Sequence, residues 1–269
     1  MSDPCLVGWL FSEDRASVLY YPPERLDWPA QGAVRGGAAS CPAIGDLSRF
    51  YYMVRSPFTL SLRCTHLVPG REFRYNVVPL EGEKIIGLNG LARALTVLPP
   101  ELWENPDWPT LQLHLPYVFI SDESVFLEQI PAFACPLTAQ RPLILYAGRF
   151  PIDIWPRHLN FSFQWLDPTR DILVRRGDPL FYLRFLPEAR DRPVRLVETE
   201  RTRELESFIA AVRDVTESAS QTYALFPRAA EMRPPRLVVP KASYRPGPEA
   251  RLRAAEHRKD ASSHADSAD

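Results

Sequence analysis

The sequence predicts a mainly β fold: an antiparallel sandwich or barrel of the jelly-roll or β-clip kind, followed by one amphipathic α-helix and a disordered tail. Three observations carry this expectation. The chain holds 28 prolines in 269 residues, about twice the usual share. Proline is excluded from helix interiors and central strands, so the elements must be short and joined by structured loops. Apolar and polar residues alternate with period two, most clearly in HLNFSFQW at 158–165, as a half-buried strand requires. Only the segment 198–225 repeats its apolar residues at steps of three and four, the spacing of one helix face.

Taken in order, β-branched and aromatic clusters place strands at 5–11, 16–21, 50–56, 58–64, 71–78, 110–120 and 124–130. Four more follow at 143–147, 158–166, 170–175 and 179–186. The stretch 29–46 is small and glycine-rich and reads as a loop. Residues 81–109 hold a short helical piece around 91–98 and then the proline-punctuated connection PPELWENPDWP. In HLNFSFQW, Leu159, Phe161, Phe163 and Trp165 share one face, and His158, Asn160, Ser162 and Gln164 the other. Turns at Asp167-Pro168 and at Arg176-Gly177-Asp178-Pro179 follow, so 158–186 reads as a three-stranded antiparallel meander.

The expected organisation is a β-rich domain over 1–197, an amphipathic helix over 198–226 and a flexible, basic, proline-rich tail over 227–269. Leu205, Phe208, Ile209, Val212 and Val215 form the apolar stripe of the helix. The stripe either covers the β body or serves as an oligomer seam. Between 228 and 260, nine basic side chains stand against four acidic ones, an excess suited to a phosphate backbone or an acidic partner. Leu237, Val238 and Val239 have the composition of a short strand that docks on a sheet edge.

Charge and motifs narrow the function. The net charge of −1 supplies no global attraction to nucleic acid or to an anionic membrane. No run approaches the ~20 apolar residues of a membrane helix, and the start has neither the basic nor the apolar region of a secretory signal. A cytoplasmic location without a membrane partner is therefore expected. Cys5, Cys41, Cys64 and Cys135 are widely spaced and read as reduced, buried small side chains. The phosphate loops GxxxxGK(S/T) and GxGxxG are missing, as are the GxSxG elbow, HExxH and the zinc-deaminase pattern. No catalytic residue, cofactor or metal is assigned on this basis. The candidate ligand residues are His114 and His158, each on the polar face of a strand, with Arg157, Arg175 and Arg176 beside turns. Arginine there grips an anion through its planar fork.

Two stretches carry resemblances. CPAIGDLSRFYYMVRSPFTLSL at 41–62 resembles a group of tailed-phage proteins of unassigned activity, in which the same opening leads into a β-rich body; this implies phage origin. HLNFSFQWLDPTRDILVRRGDPLFYLRFLP at 158–187 is similar in outline to the closing strands of β-clip and cupin-like barrels. Deoxyuridine triphosphatases and cupins both use a turn like that at 174–183. The nucleotide motifs of the first and the histidine pair of the second are not present, so no functional residue carries over. The leading expectation is a non-enzymatic interaction or assembly protein, phage-encoded and a virion or accessory component. Its partners would be copies of itself or other phage or host proteins. The alternatives are a small-molecule site in the barrel, nucleotide- or metal-dependent, and nucleic-acid binding through the tail.

Overall fold

Strands form where alternation and branched or aromatic side chains favour a pleated, half-buried backbone. The computed structural model describes residues 3–13, 16–26, 50–189, 192–218 and 222–241. Within them run β1 (Cys5–Phe11), β2 (Glu24–Arg25), β3 (Tyr51–Arg55), β4 (Leu60–Val68) and β5 (Glu72–Val77). Then come α1 (Leu88–Ala94), β6 (Leu95–Val97), β7 (Thr110–Ser121), β8 (Val125–Pro131), α2 (Pro136–Gln140) and β9 (Leu143–Leu145). The chain continues with β10 (Gly148–Pro151), β11 (His158–Trp165), β12 (Ile172–Val174), β13 (Pro179–Pro187) and β14 (Val194–Glu198). Two helices follow, α3 (Arg203–Ser218) and α4 (Thr222–Met232).

The fold is mainly β, as expected. One sheet has the order β14-β1-β7-β11-β9, with β6 beside the first half of β7; a second runs β10-β8-β13-β3-β2, and a small third runs β12-β4-β5. Every pairing is antiparallel except β1 with β14. The described strands close no barrel. The inward residues Leu111, Leu113 and Leu115 of β7 and Leu159, Phe161 and Phe163 of β11 share one core with Leu127 of β8 and Phe181, Leu183 and Phe185 of β13.

The outer face of the first sheet is covered by the chain's own C-terminal elements. Leu10, Val118, Ile120 and Val197 pack under Leu205, Phe208 and Val212 of α3, Ala229 of α4, and Leu237 and Val238. Gly8 makes room for this: a Cβ there would lie 2.9 Å from Ile120 Cγ1 and 3.3 Å from Val238 Cγ2. Helix α3 begins with the Leu205 amide donating to Thr202 Oγ1 at 3.2 Å, a side-chain cap. Glu204 and Glu206 lie in its first turn, where the helix dipole favours negative charge.

Several expectations change. Residues 16–21 are not a strand; Ala16–Val18 is a 3-10 turn, with the Leu19 and Tyr20 amides both donating to Ala16 O. The short helix begins at Leu88, and Leu95–Val97 is already strand. The meander does not exist: β11, β12 and β13 lie in three different sheets, beside β7, β4 and β8 respectively. The turns were legible, but they carry the chain from sheet to sheet instead of folding it back on itself. Helix continues past the boundary at 227, through Pro227 to Met232. Burial of Leu225 and Ala229, four residues apart, offsets the cost of the proline, ~3 kcal/mol in a helix interior.

Residues 233–241 are also anchored. Arg233 donates to Asp153 O at 2.8 Å and Asp122 O at 2.7 Å, and Asp122 Oδ1 accepts from the Leu237 and Val238 amides. Thr199 Oγ1 donates to Val239 O and accepts from the Val239 amide, both at 2.9 Å. The 237–239 segment thus docks at the β14 end of this chain's own sheet. The loop at 29–46, including Cys41, and the rest of the tail from 242 lie outside the described residues.

Candidate functional site

The site arises where the chain changes sheets. Strand β9 pairs with residues 163–165 of β11, and the Tyr146 amide donates to Ser162 O at 2.9 Å. Ala147 then leads into β10, which pairs with β8 in the other sheet. This parting opens a cleft of about 200 Å³ along β11, lined by Gln112, Gln129, Tyr146, Phe150, Arg157, His158, Leu159, Asn160 and Ser162 among others. Gln129 occupies an inward position on β8 and is buried. Its Nε2 donates to Asn160 O at 2.8 Å, satisfying a carbonyl at the margin of the ladder, as a buried amide must.

Arg157 sits at the mouth of this cleft. Its guanidinium carbon lies 4.8 Å from the Trp155 ring centroid and 5.9 Å from that of Phe150, within cation–π range. Among the described residues its one hydrogen bond is long, from Nε to His158 O at 3.4 Å. Among the described residues no carboxylate pairs with it. Burial pulls its pKa below the ordinary arginine value. His158 is exposed on one side, while protein packed around the other disfavours its charged form. Burial is the largest cause of its lowered pKa; Arg213, Arg157 and His114 add to it and Glu13 opposes them. This lowering favours the neutral ring.

His114 lies beside Asn160 across the β7–β11 pairing. Its Nε2 is 2.8 Å from Thr96 Oγ1 and its Nδ1 is 3.3 Å from Asn160 Oδ1, so both ring nitrogens are engaged and the ring fixes the Asn160 amide. Among the described residues no three His, Cys, Asp or Glu side chains converge as a metal set would. Cys5, Cys64 and Cys135 are free thiols, and burial pushes the Cys5 thiol pKa up.

The five candidate ligand residues therefore divide. Arg157 and His158 line the cleft; His114 does not, and reaches it only through its contact with Asn160. Arg175 and Arg176 do not line it either: Arg175 pairs with Glu83 at 3.0 Å, and Arg176 donates to Tyr21 Oη at 3.1 Å. Both are held at the β12–β13 turn, where Gly177 takes φ +86°, a conformation glycine adopts without strain. The helical stripe faces inward. Leu205, Phe208 and Val212 are buried in the chain's own core, Ile209 packs against them, and the Val215 side chain lies outside the described ones. Gln112, Gln129 and Tyr146 escaped the sequence reading. The only signal was in VFLEQIP, where Val125, Leu127 and Gln129 alternate and an amide takes an inward place.

No family model matches the chain, and no curated protein matches it. Among solved structures it is similar to dUTPases of staphylococcal phages. A mutant dUTPase of Staphylococcus bacteriophage 80alpha shares 9% identity over 73% of this chain and 96% of that one, with a TM-score of 0.33. A mutant dUTPase from phage phi11 of S. aureus shares 10% identity over 74% and 98%, again at 0.33. A second 80alpha mutant, solved with dUpNHpp, shares 9% over 73% and 88%, also at 0.33. Among the described residues no helix is long and apolar enough to cross a membrane.

Proposed function

We propose that the protein is a binding module for a small molecule with an anionic group, held in the cleft by Arg157 beside His158. The observation that supports this is the Arg157 guanidinium, set against Trp155 at the cleft with no carboxylate partner among the described residues. A partly buried, unpaired cation is unfavourable, and a bound anion removes the penalty. A volume of about 200 Å³ lies below the ~300–1,000 Å³ of pockets that enclose a drug-sized molecule, so the cleft admits a headgroup-sized ligand. The test is a thermal-shift series with small organic and inorganic anions. A ligand at a hundred times its Kd adds ~2.7 kcal/mol, or several degrees at ~2–4 °C per kcal/mol. The shift should vanish in Arg157→Gln and persist in Arg176→Gln. A shift that survives Arg157→Gln, or none with any anion, would remove this reading.

A second reading, self-association or partner binding by a phage accessory protein, has one feature in its favour. Along Val194–Val197, β14 pairs among the described residues with β1 only, while Glu198 O already accepts from the Lys241 amide; an edge left in this way is a template for strand addition. The likeness at 41–62 supports phage origin. Light scattering over a hundredfold concentration range tests this: a mass above the monomer supports it, and a monomer throughout counts against self-association.

A further inference from the structure

We infer that Phe226 and Arg233 are positioning residues for the anion site, so that docking of α4 and occupancy of the cleft favour each other. This rests on the cleft being the binding site and adds what regulates it. Arg157 follows the turn that leaves β10, in which the Trp155 amide donates to Pro151 O at 3.0 Å. The C-terminal elements grip that turn at two points. The half-buried Phe226 ring of α4 meets the Trp155 ring edge-on, with centroids 5.4 Å apart and planes at 67°. Arg233 Nε, just past α4, donates to Asp153 O at 2.8 Å, two residues before Trp155.

Trp155 itself packs against the core that α3 and α4 share with the first sheet. Its second ring contact is Phe150, a lining residue of the cleft, at 5.8 Å and 79°. The ring on which the Arg157 guanidinium rests, 4.8 Å from the Trp155 centroid, is thus set partly by α4. A cation–π contact requires the cation to lie over the ring face, so a tilt of Trp155 moves the charge that meets the anion. Helix α3 contributes as well, because the Arg213 charge acts on His158 and adds to the positive field there. A ligand that prefers the docked arrangement must in turn stabilise it, by the same factor.

The experiment titrates the full chain with inorganic phosphate, sulfate and acetate by calorimetry, and follows the Arg157 Nε–H resonance by NMR. Phe226→Ala should shift that resonance with no anion present, because the Trp155 ring current moves with the ring. It should also raise the Kd of any anion that binds by at least about fivefold, the low end of coupling between sites. Phe226→Tyr keeps the ring and should restore both readings. Phe133→Ala is the control: it removes a ring packed edge-on against Tyr51 and Tyr182 in the second sheet, and should leave Kd and the resonance alone. In the wild-type chain, bound anion should slow amide exchange in α4 by a similar factor and leave β4 unchanged. If Phe226→Ala binds as tightly as the wild type, the coupling is overturned and the cleft reading stands. If none of the three anions binds the wild-type chain, the cleft reading falls and the coupling with it.

Discussion

Arg141 and Arg157 show how differently two arginines of one chain can be used. Arg141 Nη2 pairs with Asp178 Oδ2 at 2.7 Å, while Nη1 donates to Pro179 O and Nε to Leu173 O. Its side chain is 5% exposed, and the three bonds pin the β12–β13 turn. Arg141→Met strands the Asp178 carboxylate and two carbonyls, and should cost about 3–5 kcal/mol. Denaturant unfolding with an unchanged slope would report it. Arg157 has no such set of partners, so Arg157→Gln should leave stability within about 1 kcal/mol while removing anion binding. Asp153 supplies a pH signature. Burial raises its pKa above 3.8, against its own and the Val125 amide and the Arg233 charge, and its Oδ1 is buried without a partner among the described residues. Between the ordinary and the raised value the native state binds more protons than the unfolded one, so stability falls as pH rises through that window. Asp153→Asn should flatten this slope and stabilise the protein at neutral pH; an unchanged pH profile would contradict the assignment. Of these residues, the sequence showed His158 because a clean two-residue period exposes the polar face of HLNFSFQW, and Arg157 because it is an arginine beside a turn. Arg141 and Asp153 were invisible, because their partners lie on strands whose neighbours no local pattern specifies.

At the scale of elements, period reveals which face of a segment is apolar but not what that face meets. The stripe of α3 was legible for that reason, and so were its two possible partners. Burial of Leu205 at 0%, Phe208 at 3% and Val212 at 1% against Leu10, Val118, Ile120 and Val197 assigns these three to the chain's own sheet. Phe208→Ala should therefore cost about 3–5 kcal/mol of folding stability and leave the mass in solution unchanged. A lowered mass at unchanged stability would instead mark a seam between copies. The same limit explains the meander. HLNFSFQW, the Ile172–Val174 strand and PLFYLRFLP each have strand character, yet their partners lie along Thr110–Val118, Leu60–Leu62 and residues 125–131. Those contacts are set by inter-sheet packing across long sequence separations, and a turn such as RGDP serves a sheet-to-sheet crossing as well as a hairpin. The cleft is a product of one such crossing at Tyr146 and Ala147, so its chemistry was partly legible and its location was not.

For the whole molecule, composition correctly implied a β sandwich with short elements, but not where the folded body ends. The basic, proline-rich stretch after 227 reads as a solvated tail, because its composition and its place at the chain end are those of an unordered terminus. In the fold, Arg233 holds the carbonyls of Asp122 and Asp153, Arg236 donates to Val238 O and Lys241 pairs with Glu198. Of the nine basic groups between 228 and 260, Lys241 is thus ion-paired within the body, and Arg233 and Arg236 are held by backbone carbonyls. Two truncations separate these parts. A chain ending at Lys241 keeps every anchoring bond and should unfold cooperatively at the midpoint of the full chain; any salt-dependent nucleic-acid affinity of the full chain should disappear with the removed residues. A chain ending at Met232 loses burial of Leu237 and Val238, worth about 1.5–3 kcal/mol each, and leaves Asp122 without its two amide donors. Against a total stability of ~5–15 kcal/mol, such a loss should lower the midpoint steeply and expose the outer face of the first sheet to dye binding. Equal midpoints for the two truncations would mean that residues 233–241 lie on the body without holding it together.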